Sequence, residues 1–445
     1  MSDELATQTI ADFVLGAQFE DIPSDVRHEA HRTLLNWMAV AVGGCRHESV
    51  DIVLETLPAA DQSASVLGRS ERTDGLNAAL VNGISSHVFD FDDTHLATAI
   101  HPAGPVLAAI LPIAERQPVT GAEFIHALIL GIDVTCRLGQ SVSPDHYSVG
   151  WHISGTAGIF GAAAAASRLL GNNAEQTRWA LGLAATQSSG MREMFGSMCK
   201  SFHVGNAAKN GLMSAMLASK GFTSSEQGIE AKRGWAHVTS TKQDFSRITD
   251  RLGKNFLIME NSYKPFACGV VVHPGIDGCI QLRNEHDLTP DDIESIELKV
   301  HPLVLELTGK TAPRTGLEGK FSIYHSCATA IQHGKGGETE FSDEAVNDPT
   351  AVSLREKVNA EIDPSVPADA MGITITTKDG RSLEIYVEKA LGSLENPLGD
   401  TALDEKTRDL CQPLLGDSGT EKLIETCRGA VELADASAIT TAATP

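Results

Sequence analysis

A fifteen-residue stretch, HVFDFDDTHLATAIH, carries His87, His95 and His101 together with Asp90, Asp92 and Asp93. Two chemistries use such a set. One is metal binding by imidazole and carboxylate. The other is proton transfer, in which an aspartate orients a histidine that carries the proton. A magnesium–diphosphate site wants a second acidic motif facing the first, and none is evident. Zinc wants histidine and cysteine at tighter, defined spacing. The eight cysteines form no C-x-x-C pair. Asp90, Asp92 and Asp93 are thus candidates for a general base or for structural carboxylates that cap the helix near Pro102 or hold Asx turns, with a metal site the least favoured of the three readings.

Four further stretches offer groups for such a site. GWHISGTAGIFG sets His152 where a crowded Gly/Ala helix begins, as a cavity wall or a hydrogen-bonded core histidine. MREMFGSMCKSFHVGNAAKNG gathers Arg192, Lys200, His203 and Lys209 among Met, Gly and Ala. GSMCKSFH reads as a loop entering a helix that starts near Val204. A helix N-terminus beside Lys and His suits a carboxylate. NSYKPFACGVVVHPGID holds Lys264 in an apolar setting, where burial lowers a lysine's pKa toward useful acid–base chemistry; His273 opens the next helix. PRTGLEGKFS carries Arg314 and Lys320 around a Gly-rich turn, as surface charge or carboxylate contacts. No Walker A, no G-x-S-x-G and no G-x-G-x-x-G after a strand occurs, so nucleotide and serine-hydrolase chemistry lack support.

The elements around these residues are mostly helical. Residues 1–259 read as one helix after another, among them SDVRHEAHRTLLNWMAVAVGG with Ser24 as candidate N-cap. Small residues four apart let helix axes approach closely. From 260 to 394 the texture changes. SIELKVHPLVLEL and GITITTKDGRSLEIYVEKA alternate apolar and polar residues, the second around a Lys378-Asp379-Gly380 turn that predicts a hairpin. Helical pieces lie between them. Residues 395–445 return to helix and end in a tail, ASAITTAATP, expected to fray. The expected fold is mainly α: a large all-helical domain (1–259 and 395–445) with a smaller α+β domain (260–394).

Composition narrows the partners. The 445 residues carry 35 Lys and Arg against 58 Asp and Glu, a formal charge of −23. Such a chain repels nucleic acid and anionic membrane surfaces. Cationic groups must then be gathered locally if the substrate is anionic. The acidic N-terminus MSDELATQTIADF lacks a signal peptide's features, and cysteine usage reads as reduced, so a cytoplasmic location is expected.

These stretches, in this order from about residue 8 to 415, resemble the MmgE/PrpD family, which includes 2-methylcitrate dehydratases, cis-aconitate decarboxylases and iminodisuccinate epimerase. The matching text is NGISSHVFDFDDT with HPAGPV, GWHISGTAGIFGAA, KSFHVGNAAKNG, YKPFACGVVVHPGID, PRTGLEGKFS and GSLENPLGD. The resemblance implies that the smaller α+β domain is an inserted lid. It also implies a homodimer, no required cofactor or metal, and an active site between helical body and lid. It implies active-site roles for Asp90, Thr94, His101, His152, Lys200 and Lys264, with His203 and Arg192 near them. On that reading Asp90 orients the ring of His101, which carries the proton, Thr94 hydrogen-bonds the substrate, and Asp92, Asp93 and His95 are structural. One position departs: the family's mammalian-type decarboxylases carry a histidine five residues after the lysine that Lys264 matches, and here that place is Gly269.

The family's reactions share a carbanion-like centre beside a carboxylate, which preorganised cations stabilise. The expectation is a cofactor-independent lyase acting on a small di- or tricarboxylate such as 2-methylcitrate or cis-aconitate, with dehydration first. An epimerase of an imino- or amino-dicarboxylate is the second reading. A non-catalytic carboxylate-binding protein is the third.

Overall fold

The computed structural model of this chain describes residues 5–58 and 61–445. The first four residues of the acidic N-terminal stretch lie outside them; the rest of it forms the helix Ala6–Gly16. The chain is mainly α. The helices that carry the site are Gly75–His87, Ala103–Arg116, Ile153–Leu169 and Cys199–Ser219, with Ser24–Gly44 and Gly121–Val142 packed around them. Local chemistry sets several of their starts. Asp74 accepts from the backbone N–H groups of Leu76 and Asn77. Thr120 and Glu123 form a reciprocal capping box. Ser24 is not a cap: it is the first helical residue, and Pro23 precedes it.

Close packing depends on glycine at one crossing in particular. The Cys199–Ser219 helix lies against Gly75–His87, and Gly205 meets Gly83 there. A Cβ on Gly83 would stand 2.6 Å from the Gly205 Cα, and one on Gly205 would stand 2.2 Å from the Leu80 carbonyl oxygen. That approach carries Lys200 and His203, both buried, toward the end of the Gly75–His87 helix. The Cys199–Ser219 helix starts earlier than the sequence suggests. Its N-cap is Met198, whose side chain makes no capping hydrogen bond, so no Ser, Thr, Asp or Asn marks the start.

A four-stranded sheet forms the centre of the α+β part. Its order is Val358–Ile362, Ile293–Val300, Met371–Thr377, Ser382–Val387; the first pair is parallel and the others antiparallel. The expected hairpin is present, with Gly380 at φ +88° in its turn. Ile296, Leu298, Ile373 and Ile375 are buried, and the helices His273–Glu285 and Ile323–His333 belong to the same core. The stretch after the Ile293–Val300 strand is not a strand. Pro302–Thr308 is a helix, with Pro302 at its first position and the His301 ring accepting from the Leu303 N–H.

The C-terminal helix Asp400–Arg428, broken at Gly416 (φ +67°), packs along Ser24–Gly44. The tail is not frayed. Ser437–Ala442 is helical, Ile439 is fully buried, and the Ala443 carbonyl accepts from the Gly68 N–H. Among the described residues no helix is long and apolar enough to cross a membrane.

Gly205→Ala forces a methyl group against backbone that cannot yield. It is expected to cost about 1–3 kcal/mol in urea unfolding and to displace the first turn that carries Lys200. Unchanged stability would contradict this packing.

Candidate active site

The Gly75–His87 helix ends in a turn that places Asp90 at φ +51°. Aspartate tolerates this left-handed conformation better than most side chains. Its Oδ1 accepts from Lys200 Nζ at 2.8 Å and from Lys264 Nζ at 2.7 Å. Lys264 Nζ also donates to the Asp90 carbonyl at 2.8 Å. All three side chains are buried. Burial alone would raise the Asp90 carboxyl; the two ammonium groups outweigh it and hold the carboxyl well below the usual carboxylate range. Burial lowers the Lys200 ammonium, and Asp90 opposes that shift.

Thr94 and Lys264 arrive on two short antiparallel strands, Asp93–His95 and Asn261–Tyr263. Thr94 pairs directly with Ser262, so their side chains share a face. Ser262 Oγ is buried and without a hydrogen-bond partner. Lys264 follows two residues later, as the strand period requires.

His101 stands beside this group. Its Nδ1 lies 2.7 Å from the Asp93 backbone carbonyl. A carbonyl only accepts, so Nδ1 carries the hydrogen and Nε2 keeps its lone pair. Burial pushes this imidazole down to about 3, so it is neutral at physiological pH. Asp90 does not orient the ring as expected: its Oδ1 is 3.9 Å from His101 Nε2, beyond hydrogen-bond range. The Asp93 carbonyl fixes the tautomer instead. Asp92 Oδ2 accepts from His87 Nδ1 at 2.8 Å, and its Oδ1 is 3.4 Å from His101 Nδ1. Asp93 Oδ2 accepts from the Ala103 N–H and from Asn261 Nδ2 at 2.6 Å, tying the Ala103–Arg116 helix start to the strand pair. Burial raises the Asp93 carboxyl to about 7. His95 is held by Thr98 and Glu260.

His152 is the last residue before the Ile153–Leu169 helix. Its Nδ1 is 2.9 Å from His203 Nδ1, so one ring donates and the other accepts. Burial, then the neighbouring Lys200, hold His152 well below the ordinary histidine range; burial lowers His203 to about 4.

A cavity of about 470 Å³ opens over these groups. Asp90, Thr94, His101, His152, Lys200 and Lys264 all line it. His203 lies behind His152. Arg192 is elsewhere: it donates to the Tyr147 carbonyl, pairs with Glu306 at 2.8 Å and stacks on the Tyr147 ring, beside a separate groove. Its turn, Arg192–Met194, faces outward. Lys320 is buried against Glu338 at 2.5 Å and the Ala267 carbonyl, and so is already paired.

Four residues outside the expected set also shape the site. Ser262 and His273 line the cavity. His87 lies edge-on to His101, with ring centroids 4.6 Å apart. Lys406, from the C-terminal helix, donates to Asn36 Oδ1 and to the carbonyls of Phe91 and Lys264, clamping both segments that flank the Asp90–Lys264 contact. Ser262 had a readable signal, the two-residue spacing to Lys264. Lys406 had none, because DEKTRDL reads as an ordinary charged helix face.

Atoms of His87, Asp90, Asp92 and His101 lie within 4.8 Å of one another, a grouping that can hold a cation. The residues do not fit one. Asp90 Oδ1 already carries two ammonium groups, which a metal ion would face at close range.

Residues 8–248 match the MmgE/PrpD N-terminal domain, and residues 266–429 match the MmgE/PrpD C-terminal domain. Cis-aconitate decarboxylase of Homo sapiens is 27% identical, over 98% of this chain and 94% of that protein. The Mus musculus enzyme is 26% identical over 98% and 92%. Cis-aconitate decarboxylase of Aspergillus terreus is 25% identical over 97% and 94%.

Asp90→Asn strips the counter-charge from two buried ammonium groups. The expected loss is about 3–5 kcal/mol at pH 7, partly regained as pH rises and Lys200, whose pKa burial already lowers, releases its proton. Urea unfolding from pH 7 to 10 checks both. His101 titrates in the same sense, at lower pH. Its folded pKa is lowered, so its contribution to stability is complete above about pH 6.5 and falls away as pH drops toward about 3. Between pH 7 and 5 the native chain should lose about 1–2 kcal/mol more than His101→Asn.

Proposed function

We propose that this chain, which belongs to the MmgE/PrpD family, is a cofactor-independent lyase that moves a proton at a carbon next to a carboxylate. One observation carries the reading. A histidine with a free Nε2 faces the carboxylate that two buried lysines share. The proposed substrate is a small di- or tricarboxylate, of which 2-methylcitrate and cis-aconitate are the first to test.

The chemistry follows from the groups. A C–H beside a carboxylate is a very weak acid, because its removal adds charge to a group already negative. Lys200 and Lys264 receive that carboxylate and stabilise the charge that develops on it, in a site shielded from water. His101 Nε2 takes the proton from the adjacent carbon. The electron pair spreads into the carboxylate and then forms the C=C bond as hydroxide leaves the next carbon. The imidazolium that this forms on His101 gives the proton on to the departing hydroxyl, so that water leaves and the ring is neutral again, while His152, hydrogen-bonded to His203, lines the cavity beside it. Thr94 and Ser262 offer paired hydroxyls to the rest of the substrate.

Loss of carbon dioxide is the second reading, and the names of the relatives favour it. There the C–C bond to one carboxylate breaks, its electron pair passes into the conjugated acid, and a histidine returns a proton to carbon.

The purified chain is incubated with 2-methylcitrate, citrate and cis-aconitate in deuterated water. Change in C=C absorbance, released carbon dioxide and deuterium in the recovered acid are followed. A lyase changes absorbance or releases gas on at least one acid. His101→Ala and Lys264→Ala are each expected to lower kcat by about 10²–10⁴-fold. Deuterium uptake with no net product would mark an epimerase instead. No change on any readout would overturn the lyase reading for these acids.

A further inference from the structure

The cavity's charge and walls say more about the substrate than the reacting groups do. Among the described residues that line it, the charged groups are Asp90, Lys200, Lys264 and Asp369. Asp369 is at the rim, paired with Lys389 at 2.5 Å. His101, His152 and His273 are all held neutral by burial. The floor therefore offers one net positive charge. Directly behind it Asp92 and Lys406 are both buried and opposite in sign, which leaves that count unchanged. A buried anion needs a counter-charge or a full set of donors. One carboxylate finds the lysines. A second has the neutral hydroxyls of Thr94 and Ser262. A third has no counter-charge, only neutral groups such as Tyr147, His273 and Ser393.

Much of the remaining lining is apolar. Val270 and Val271 lie in a turn that packs on the Pro302–Thr308 helix, and Leu303 and Leu307, four residues apart on that helix, share one of its faces. Leu391 and Ala97 line the cavity as well. A cavity of about 470 Å³ lies in the range that holds drug-sized ligands, beyond what a compact six-carbon acid fills.

We propose that the acid this site takes is a dicarboxylate bearing an apolar substituent of several carbons, seated against Val270, Val271, Leu303 and Leu307 where a tricarboxylate would carry its third carboxylate. This rests on the carboxylate-binding role of the lysines and narrows the proposed di- or tricarboxylate to a substituted dicarboxylate, for which the tricarboxylates above are weaker-binding substrates.

Calorimetric titration of the full chain with succinate, butylsuccinate, hexylsuccinate and tricarballylate tests it. Each methylene that leaves water should tighten binding about three- to fourfold. Butylsuccinate is therefore expected to bind at least tenfold tighter than succinate and tighter than tricarballylate. In the Leu303→Asn/Leu307→Asn double variant the butylsuccinate-to-succinate ratio should fall below threefold. Tricarballylate binding tighter than butylsuccinate, or a ratio near one, would overturn the apolar subsite. A failure of the underlying reading looks different: Lys264→Met would then leave the affinities of all four acids unchanged.

Discussion

One aspartate oxygen accepting from two lysines is the contact on which the site depends. Two ammonium groups buried close together repel, and burial works against the charge on Lys200. Asp90 opposes both effects. It keeps positive charge where a substrate carboxylate must sit, in a place that the chain's overall charge of −23 would otherwise disfavour. The contact also joins distant parts of the sequence. Asp90 follows one helix, Lys200 lies in the first turn of another, and Lys264 leaves a strand 174 residues after Asp90. The glycine crossing of Gly83 and Gly205 brings the two helices to the required distance.

A second layer fixes direction. The Asp93 carbonyl holds His101 by Nδ1, so its free nitrogen faces Asp90 and the lysines. The Asp93 carboxyl meanwhile links the strand pair to the helix that begins at Ala103. Lys406 reaches in from the C-terminal helix and holds the backbone at Phe91 and Lys264. The helical body supplies Asp90, Lys200, His101 and His152. The α+β part supplies Lys264 together with Val270, Val271, Leu303 and Leu307. The charge at the site is thus assembled from both parts of the chain.

The residues easiest to read in the sequence were those whose type clashes with their neighbours. Lys200, Lys264 and His152 stand among Gly, Ala, Met and Val, where a solvated role is hard to sustain. Arg192 shares that signal and the structure turns it away, because charge type does not reveal which side of a turn a residue faces. The partner of His101 was misread for a related reason. Its hydrogen bond goes to a backbone carbonyl, which every residue carries and no motif marks. The two strands beside the site are three residues each, too short for a two-residue period to show. HPLVLEL alternates well enough to pass for a strand, yet Pro302 and the His301 cap start a helix there. The buried tail was missed because its Ala and Thr residues carry no strong pattern, and only tertiary packing covers Ile439.

The most direct test of the shared Asp90 centre is a crystal structure of the chain with an unreactive dicarboxylate bound. The account predicts a carboxylate oxygen within hydrogen-bond reach of Lys200 Nζ or Lys264 Nζ, the adjacent carbon facing His101 Nε2, and Asp90 still bound to both lysines. An acid bound instead in the groove beside Arg192, or a divalent metal ion seated among His87, Asp90, Asp92 and His101 with the lysines displaced, would contradict it.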